Sequence, residues 1–320
     1  MVNFRYHLVS LIAVFLALGV GVVLGAGPLQ NAINAKGDPD SADSLDAVKE
    51  QLIQADQQVI QGEEFVWAVA EEVLPETLTD IDVAVVLLPG SAALGADPVV
   101  RALEEAGAKV VGEVELTSRW DDPDSSTYRQ TLATAASSHL KERPAHADSE
   151  SILAQGLIEV LTQSSTETDL LAEMLTDEKT ALVVPGTLPS NVAEAVVLVG
   201  PSVVAESIDE DDSTVVDTQV STPTQSGDQV SSSEEVPTTS AWSALATAAA
   251  GAPKGSVAVG SAAEPGDFIA VLRDGDTSIA TVYEGGTARA ALNVALVLSS
   301  GADGAYGQEL GASTPVAPLP

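Results

Sequence analysis

Histidine, cysteine and methionine are the side chains that most often carry catalysis or bind soft metal ions, and this chain has few of them. Its 320 residues include three histidines, two methionines and no cysteine. A thiol nucleophile, a disulfide framework and a zinc knuckle are therefore excluded. A Ser/His/Asp triad would need His7, His139 or His146, and none of them lies near a nucleophile motif. We predict that the protein is not an enzyme and uses no cofactor.

The metal-binding side chains follow no recognisable pattern. Copper(I) prefers thiolate and thioether ligands, and Met174 is the only methionine besides the initiator. On one helix His139 and His146 would lie about 10.5 Å apart along the axis, too far to share an ion. Acidic clusters at 121–122 and 209–212 could hold hard cations loosely, but solvated charge explains them more simply. The sequence leaves the metal ligands unassigned.

Two other ligand classes are disfavoured. The segment 88–95, where a strand is predicted to turn into a helix, lacks both the G-x-G-x-x-G order and the Walker lysine, so it does not indicate a nucleotide site. The formal charge of −34, from 13 basic and 47 acidic residues, leaves no basic stripe for a phosphate backbone. Nucleic acid is therefore excluded as a partner.

An uncharged apolar run from Leu8 to Gly27 predicts a transmembrane helix, since 20 residues rise about 30 Å, the thickness of the hydrocarbon core. A cleaved signal peptide is the alternative, but its apolar region is normally shorter. Arg5 precedes the run, which predicts a cytoplasmic N-terminus and an extracytoplasmic bulk. Small residues recur every fourth position on one face, as in helices that pair within lipid: Ala17, Gly21 and Gly25.

A stalk is predicted over residues 43–75, where apolar side chains follow a heptad pattern for about four repeats. A homodimer through the span and the stalk would result. The alternative is an amphipathic helix lying on its own globular domain. Acidic residues dominate the segment, so a symmetric pair gains little from ion pairs and a basic partner helix would gain more. The predicted core positions are Leu45, Val48, Leu52, Ala55, Val59, Val66, Val69 and Val73, with a weak Gly62 among them.

After the stalk, short apolar runs alternate with helical patterns, which predicts a small α/β body with a mostly parallel sheet. The first strand, helix and strand, at 81–88, 98–106 and 109–116, make a βαβ unit with a right-handed crossover. Helices are predicted at 126–141, 149–162, 167–174 and 287–299, and strands at 181–184, 195–199, 256–259, 268–272 and 278–282.

An acidic, Ser/Thr-rich stretch at 207–240 interrupts this body and is predicted to be a disordered insert. The three prolines near the C-terminus predict a frayed tail. The resulting organisation is a cytoplasmic N-terminus (1–7), the span (8–27), the stalk (43–75), the body in two parts (80–206 and 241–307) around the insert (207–240), and the tail (308–320).

The N-terminal sequence MVNFRYHLVSLIAVFLALG, residues 1–19, closely resembles the opening of the actinobacterial MctB-type copper-transport protein family. The C-terminal region is similar too, with GGTARAA at 285–291 leading through a helix to GAYG at 304–307. The order of anchor, stalk and βαβ body also follows that family, so the resemblance covers most of the chain.

Two functions remain open. The resemblance implies a role in copper efflux or homeostasis, and some relatives are linked instead to cell separation as envelope partners of cell-wall hydrolases. Neither carries a metal ligand over to a residue of this chain. The residues themselves favour a dimeric extracytoplasmic scaffold that contacts membrane lipid and another envelope protein.

Overall fold

The computed structural model describes residues 40–91, 93–141, 148–201, 239–275, 277–309 and 311–320. The chain divides into two compact units, residues 1–62 and 63–320. The predicted span, its face of Ala17, Gly21 and Gly25, and nearly all of the predicted insert lie outside the described residues. Within those residues, none of the helices combines the length and the apolar character needed to cross a membrane.

The described residues form eight α-helices and six strands. The helices are α1 (Asp40–Val73), α2 (Ala93–Glu105), α3 (Ser126–Ala136), α4 (Ser149–Thr162), α5 (Thr166–Leu175), α6 (Thr239–Ala249), α7 (Phe268–Asp274) and α8 (Ala288–Ser300). The strands are β1 (Asp82–Leu87), β2 (Lys109–Glu115), β3 (Ala195–Val199), β4 (Ser256–Gly260), β5 (Ala280–Tyr283) and β6 (Ala305–Tyr306).

The six strands form one parallel sheet in the order β2-β1-β3-β4-β5-β6. The first five follow the 2-1-3-4-5 order of a doubly wound fold, whose direction of winding reverses between β1 and β3. The predicted α/β body with a parallel sheet is therefore confirmed, including the β1-α2-β2 crossover.

The strands are parallel and buried because helices cover both faces of the sheet. All five residues of β3, Ala-Val-Val-Leu-Val, are buried. One apolar layer joins α2, α8 and the end of α1 to the sheet, and the other joins α4, α6 and α7 to the opposite face. Alanine, valine and leucine make up most of both layers.

Two predicted strands are wrong. Residues 268–272 belong to α7, where Phe268, Ile269 and Leu272 are buried at helical spacing. A short apolar run does not distinguish a strand from a buried helix. Residues 181–184 contribute a single antiparallel bridge, between Leu116 and Val183. The amides of Leu182 and Val183 donate to the carbonyl of Leu175 at the end of α5, so they are not available to a ladder.

The predictions also did not include α6, which follows the predicted insert. Its alanine-rich sequence buries Ala241, Trp242 and Leu245 against the sheet. At the C-terminus, where fraying was predicted, residues 313–317 instead form hydrogen bonds with β6 and α8.

Candidate functional site

The last turns of α1 are part of the core of the second unit. Ala70 and Leu74 are fully buried, and Val66, Trp67 and Val73 are partly buried against the same layer. These positions are spaced by three and four residues, so they form one face of the helix. The end of the stalk helix is therefore held by the same burial that stabilises the sheet.

Polar contacts fix this end of α1 further. The Glu63 carboxylate accepts a hydrogen bond of 2.6 Å from the amide of Ala288, in the first turn of α8, where a negative charge interacts favourably with the helix dipole. The Arg101 guanidinium lies 3.9 Å from the centre of the Trp67 ring and 3.7 Å from a Glu71 carboxylate oxygen. Because Arg101 is about half exposed, the cation–π contact is worth roughly 0.5–1 kcal/mol.

Earlier in α1, large apolar side chains are exposed. Leu52, Ile53, Val59 and Ile60, which we call the stalk surface, are 57–64% exposed. Nine acidic residues and a single basic one, Lys49, share this helix with them. An exposed apolar patch with polar surroundings is typical of a protein-binding surface.

The predicted core positions of the stalk fall into two groups in the structure, some packed against the α/β unit and others exposed. Val66 and Val73 pack against their own α/β unit, as expected for the alternative of an amphipathic helix lying on its own domain. Leu52, Ala55, Val59 and Val69 are exposed, as is the Gly62 position. The side chains of Leu45 and Val48 lie outside the described part of the chain.

Ligands of doubly wound folds usually bind at the carboxyl ends of the strands where the winding reverses. Among the described residues, backbone of the chain itself lies at the carboxyl ends of β1 and β3. The amide of Leu88, after β1, donates to the carbonyl of Val199 at the end of β3. Gly90, with a φ of +78°, brings the following turn against Pro201.

Aromatic side chains close the neighbouring β3–β4 edge. The Phe268 ring lies over Gly200, where the Cβ of any other residue would overlap it. Trp242 meets this ring edge-on, with centroids 5.8 Å apart and an interplanar angle of 89°. The Trp242 indole then donates a 3.0 Å hydrogen bond to the Asp121 carboxylate. Among the residues that the structure describes, this part of the edge is packed core.

Asp121 is the buried carboxylate of this aromatic group, 8% exposed. Burial raises the pKa of Asp121 above its usual 3.8, while the hydrogen bond from Trp242 and the charge of Arg129 act in the opposite direction. Arg129, itself 1% exposed, donates to the carbonyls of Arg119 and Asp122 and pairs with Glu150 at 3.3 Å. These contacts order the loop after β2.

The side chains considered for metal binding do not come together. In the described ranges, no three or more His, Cys, Asp or Glu side chains are grouped so as to hold a metal ion. Met174 is half-buried beside a cavity of about 660 Å³, together with Glu173, Asp177 and Glu178. One thioether among carboxylates does not supply the soft donors that copper(I) prefers. His139 follows α3, and His7 and His146 lie outside the described residues.

A hydroxyl–carboxylate contact lies in the turn after β4. The Ser261 hydroxyl donates to the Asp267 carboxylate, which also accepts from the amide of Glu264. This arrangement closes the turn between β4 and α7, because the Ser261 hydroxyl and the Glu264 amide both bond to the Asp267 carboxylate.

The fold and the site together define a class of protein. It has a doubly wound α/β unit whose described carboxyl edge is closed, and this unit follows a long acidic helix that exposes apolar side chains. The family described as copper transport outer membrane protein, MctB, matches residues 1–317. The chain belongs to this family, a family of copper-transport proteins of the cell envelope, and the resemblance noted in the sequence is confirmed. No curated protein matches the chain.

The raised pKa of Asp121 predicts how stability depends on pH. The folded state binds the proton more tightly than the unfolded state, so this contribution is complete below pH 3.8 and is lost as pH rises through the higher pKa of the folded state. Asp121→Asn removes the titration but keeps an oxygen that accepts from Trp242. We expect the melting temperature of the variant, relative to the wild type, to rise between pH 3 and pH 7.

Thermal unfolding followed by tryptophan fluorescence measures this difference. The Asp97→Asn variant, at an exposed position of α2, controls for the loss of one negative charge. If the melting temperatures of Asp121→Asn and the wild type differ by the same amount at every pH, the raised pKa of Asp121 is contradicted.

Proposed function

We propose that the chain is a single-pass, membrane-anchored envelope protein that is not an enzyme and serves copper homeostasis by holding other proteins. Membership of the MctB family supports the envelope and copper parts of this proposal. The exposed stalk surface on an acidic helix is the observation that supports the docking part.

The anchor is the apolar run Leu8–Gly27, with the N-terminus in the cytoplasm and the α/β unit outside. Twenty uncharged residues are long enough to span the bilayer. Ala17, Gly21 and Gly25 favour close approach of a second copy within the lipid. This part of the proposal rests on the sequence.

Two copies pair along the stalk in this account. Exposed Leu52, Ile53, Val59 and Ile60 lose contact with water when a second α1 covers them, which is favourable by about 25 cal/mol per Å² of apolar surface. Acidic residues on both copies oppose the pairing, and salt screens that repulsion. Pairing should therefore be stronger at physiological ionic strength than at low salt.

The paired α/β units then present their surfaces to another envelope protein, such as a cell-wall hydrolase. The described residues pack closely at the carboxyl edge of the sheet. We therefore expect the α/β unit to contact its partner through its outer surface and not through a substrate crevice. In this proposal, the role in copper homeostasis depends on the partner protein that this chain binds. The chain itself does not have to coordinate a copper ion.

Leu52→Glu tests the stalk. It places a charge in the apolar contact between copies, so we expect crosslinked dimers of the full chain in native membranes to fall at least about fivefold, the effect of roughly 1 kcal/mol. Leu52 is already 59% exposed, so the fold of the α/β unit should be unaffected.

Gln54→Glu is the matched control. It adds the same charge two residues further along, and residues two apart do not share a face of a helix. Gln54 is exposed as well. Equal crosslinking of the wild type and Leu52→Glu would contradict pairing through the stalk surface.

Direct copper binding is the second candidate, favoured by the family description. The donors in the described residues lead us to expect no specific site. Titration of the full chain with copper(I) in a calorimeter should give no saturable heat, and Met174→Leu should leave the titration unchanged. A stoichiometric site that Met174→Leu abolishes would make the chain a copper carrier itself.

A further inference from the structure

An open groove of about 660 Å³ lies where α3 meets the end of α5. Tyr128 and Leu132, four residues apart on one face of α3, line it together with Met174 of α5. We call these three residues the apolar lining. All three are half-buried, so each leaves part of its apolar surface in contact with water.

Three carboxylates line the same groove, those of Glu173, Asp177 and Glu178, and all three residues are exposed. The ion pairs formed among the described residues involve none of them. In the described part of the chain, no lysine or arginine lines the groove either. The groove therefore combines apolar surface with a local excess of negative charge, which favours a cationic partner.

Hydrogen bonds hold one wall of the groove in place. The Tyr128 hydroxyl donates to the Thr180 hydroxyl at 2.9 Å, and the Thr180 hydroxyl donates to the Asp177 carboxylate at 3.2 Å. The Lys179 amide donates to the same carboxylate oxygen at 3.1 Å. These bonds join α3 to the loop after α5. A site that is already shaped before binding loses less conformational entropy when its partner binds.

The elements around the groove favour a helical partner. Its described lining comes from two helices and a loop and includes no residue of a strand, so an extended segment finds no sheet edge there. A helix bonds its own main chain and is recognised through its side chains, with its apolar face in a hydrophobic groove. The unbranched, polarisable side chain of Met174 adapts to apolar partners of different shape.

We propose that this groove binds a basic amphipathic helix of the envelope protein that the α/β unit contacts. Apolar side chains of that helix cover the apolar lining, and its lysine or arginine side chains pair with the three carboxylates. The inference rests on the proposed function in one respect, that the α/β unit contacts another protein, and it adds the chemistry of that partner. It uses no part of the stalk surface.

Met174 provides a probe inside the groove, because Met1 is the only other methionine of the sequence. The full chain is labelled with carbon-13 in its methionine methyl groups and placed in nanodiscs of phosphatidylcholine, whose headgroup has no net charge. The ligand is a synthetic peptide of about 14 residues, roughly four helical turns, with leucine on one face, lysine elsewhere and a nitroxide at its centre. We expect it to broaden the Met174 signal, which Met174→Leu identifies, with the Met1 signal as reference.

Fluorescence anisotropy of a dye-labelled peptide, measured on the same nanodiscs, separates the two contributions to binding. The double variant Glu173→Gln and Glu178→Gln should weaken binding about threefold to tenfold, as expected for two exposed ion pairs. The matched control, Glu104→Gln and Glu264→Gln, removes the same charge from exposed positions outside the groove. Salt screens such distant charges, so the affinity of the control should stay within about twofold of the wild type.

A second peptide of the same composition, with its leucines scattered around the helix, tests the apolar contact. It carries the same charge but cannot cover the apolar lining with one face, so we expect it to bind at least about threefold more weakly.

Broadening of the Met174 signal, together with weaker binding by the groove variant only, supports the proposal. An unbroadened signal overturns it, and so does equal binding of the two peptides, which would reduce the attraction to net charge. A Met174 signal that changes with protein concentration in the absence of peptide would place a second copy in the groove and would also overturn it. Leu52→Glu disrupts the stalk pair but should keep the affinity for the peptide, so failure of stalk pairing is distinguishable from failure of the groove.

Discussion

Both faces of a parallel sheet have to be buried, and this chain buries them with alanine, valine and leucine because aromatic residues make up only 3% of it. Small side chains fill space only when helices and strands approach closely. The end of α1 takes part in that packing through Ala70 and Leu74. The α/β unit and the helix that leads into it are therefore stabilised by the same core.

The same packing also closes the carboxyl edge of the sheet among the described residues. Phe268 and Trp242, two of the few aromatic residues, are used to close the carboxyl edge of the sheet, and Asp121 is buried with them. A fold of this class usually keeps that edge for a ligand. Because the described residues close this edge, our proposal places contact with other proteins on the exposed surface of α1.

Sequence patterns predicted those parts of the fold that depend on local order. The βαβ unit, the buried strands β3 and β4, and the family were all readable from apolar runs or from the terminal motifs. The strand predicted at residues 268–272 was wrong because five apolar-rich residues fit a strand and a helix equally well. The position of Val66 and Val73 was open for a similar reason, since a coiled-coil seam and a domain-facing helix share one spacing.

The side-chain contacts that complete the site could not be predicted, because they join residues far apart in the chain. Trp242 and Asp121 are separated by 121 positions and Glu63 and Ala288 by 225. Between Arg289 and Ser299 of α8, Asn293 is the only polar residue in an otherwise apolar run, which is a sequence signal of a buried hydrogen-bond partner. Its partners, Pro315 and Ala317, lie in a segment with the composition of a frayed end, and only the folded structure reveals the contact.

The central claim is that the stalk surface holds two copies together. The chain has no native cysteine, so Gln61→Cys gives a single site for a spin label on exposed α1. Pulsed dipolar spectroscopy on the full chain in membranes then measures the distance between the labels of two copies. The account predicts a defined distance of about 20–30 Å, since packed helices lie about 8–10 Å apart and the labels point outward. A signal without any defined distance between copies would contradict it.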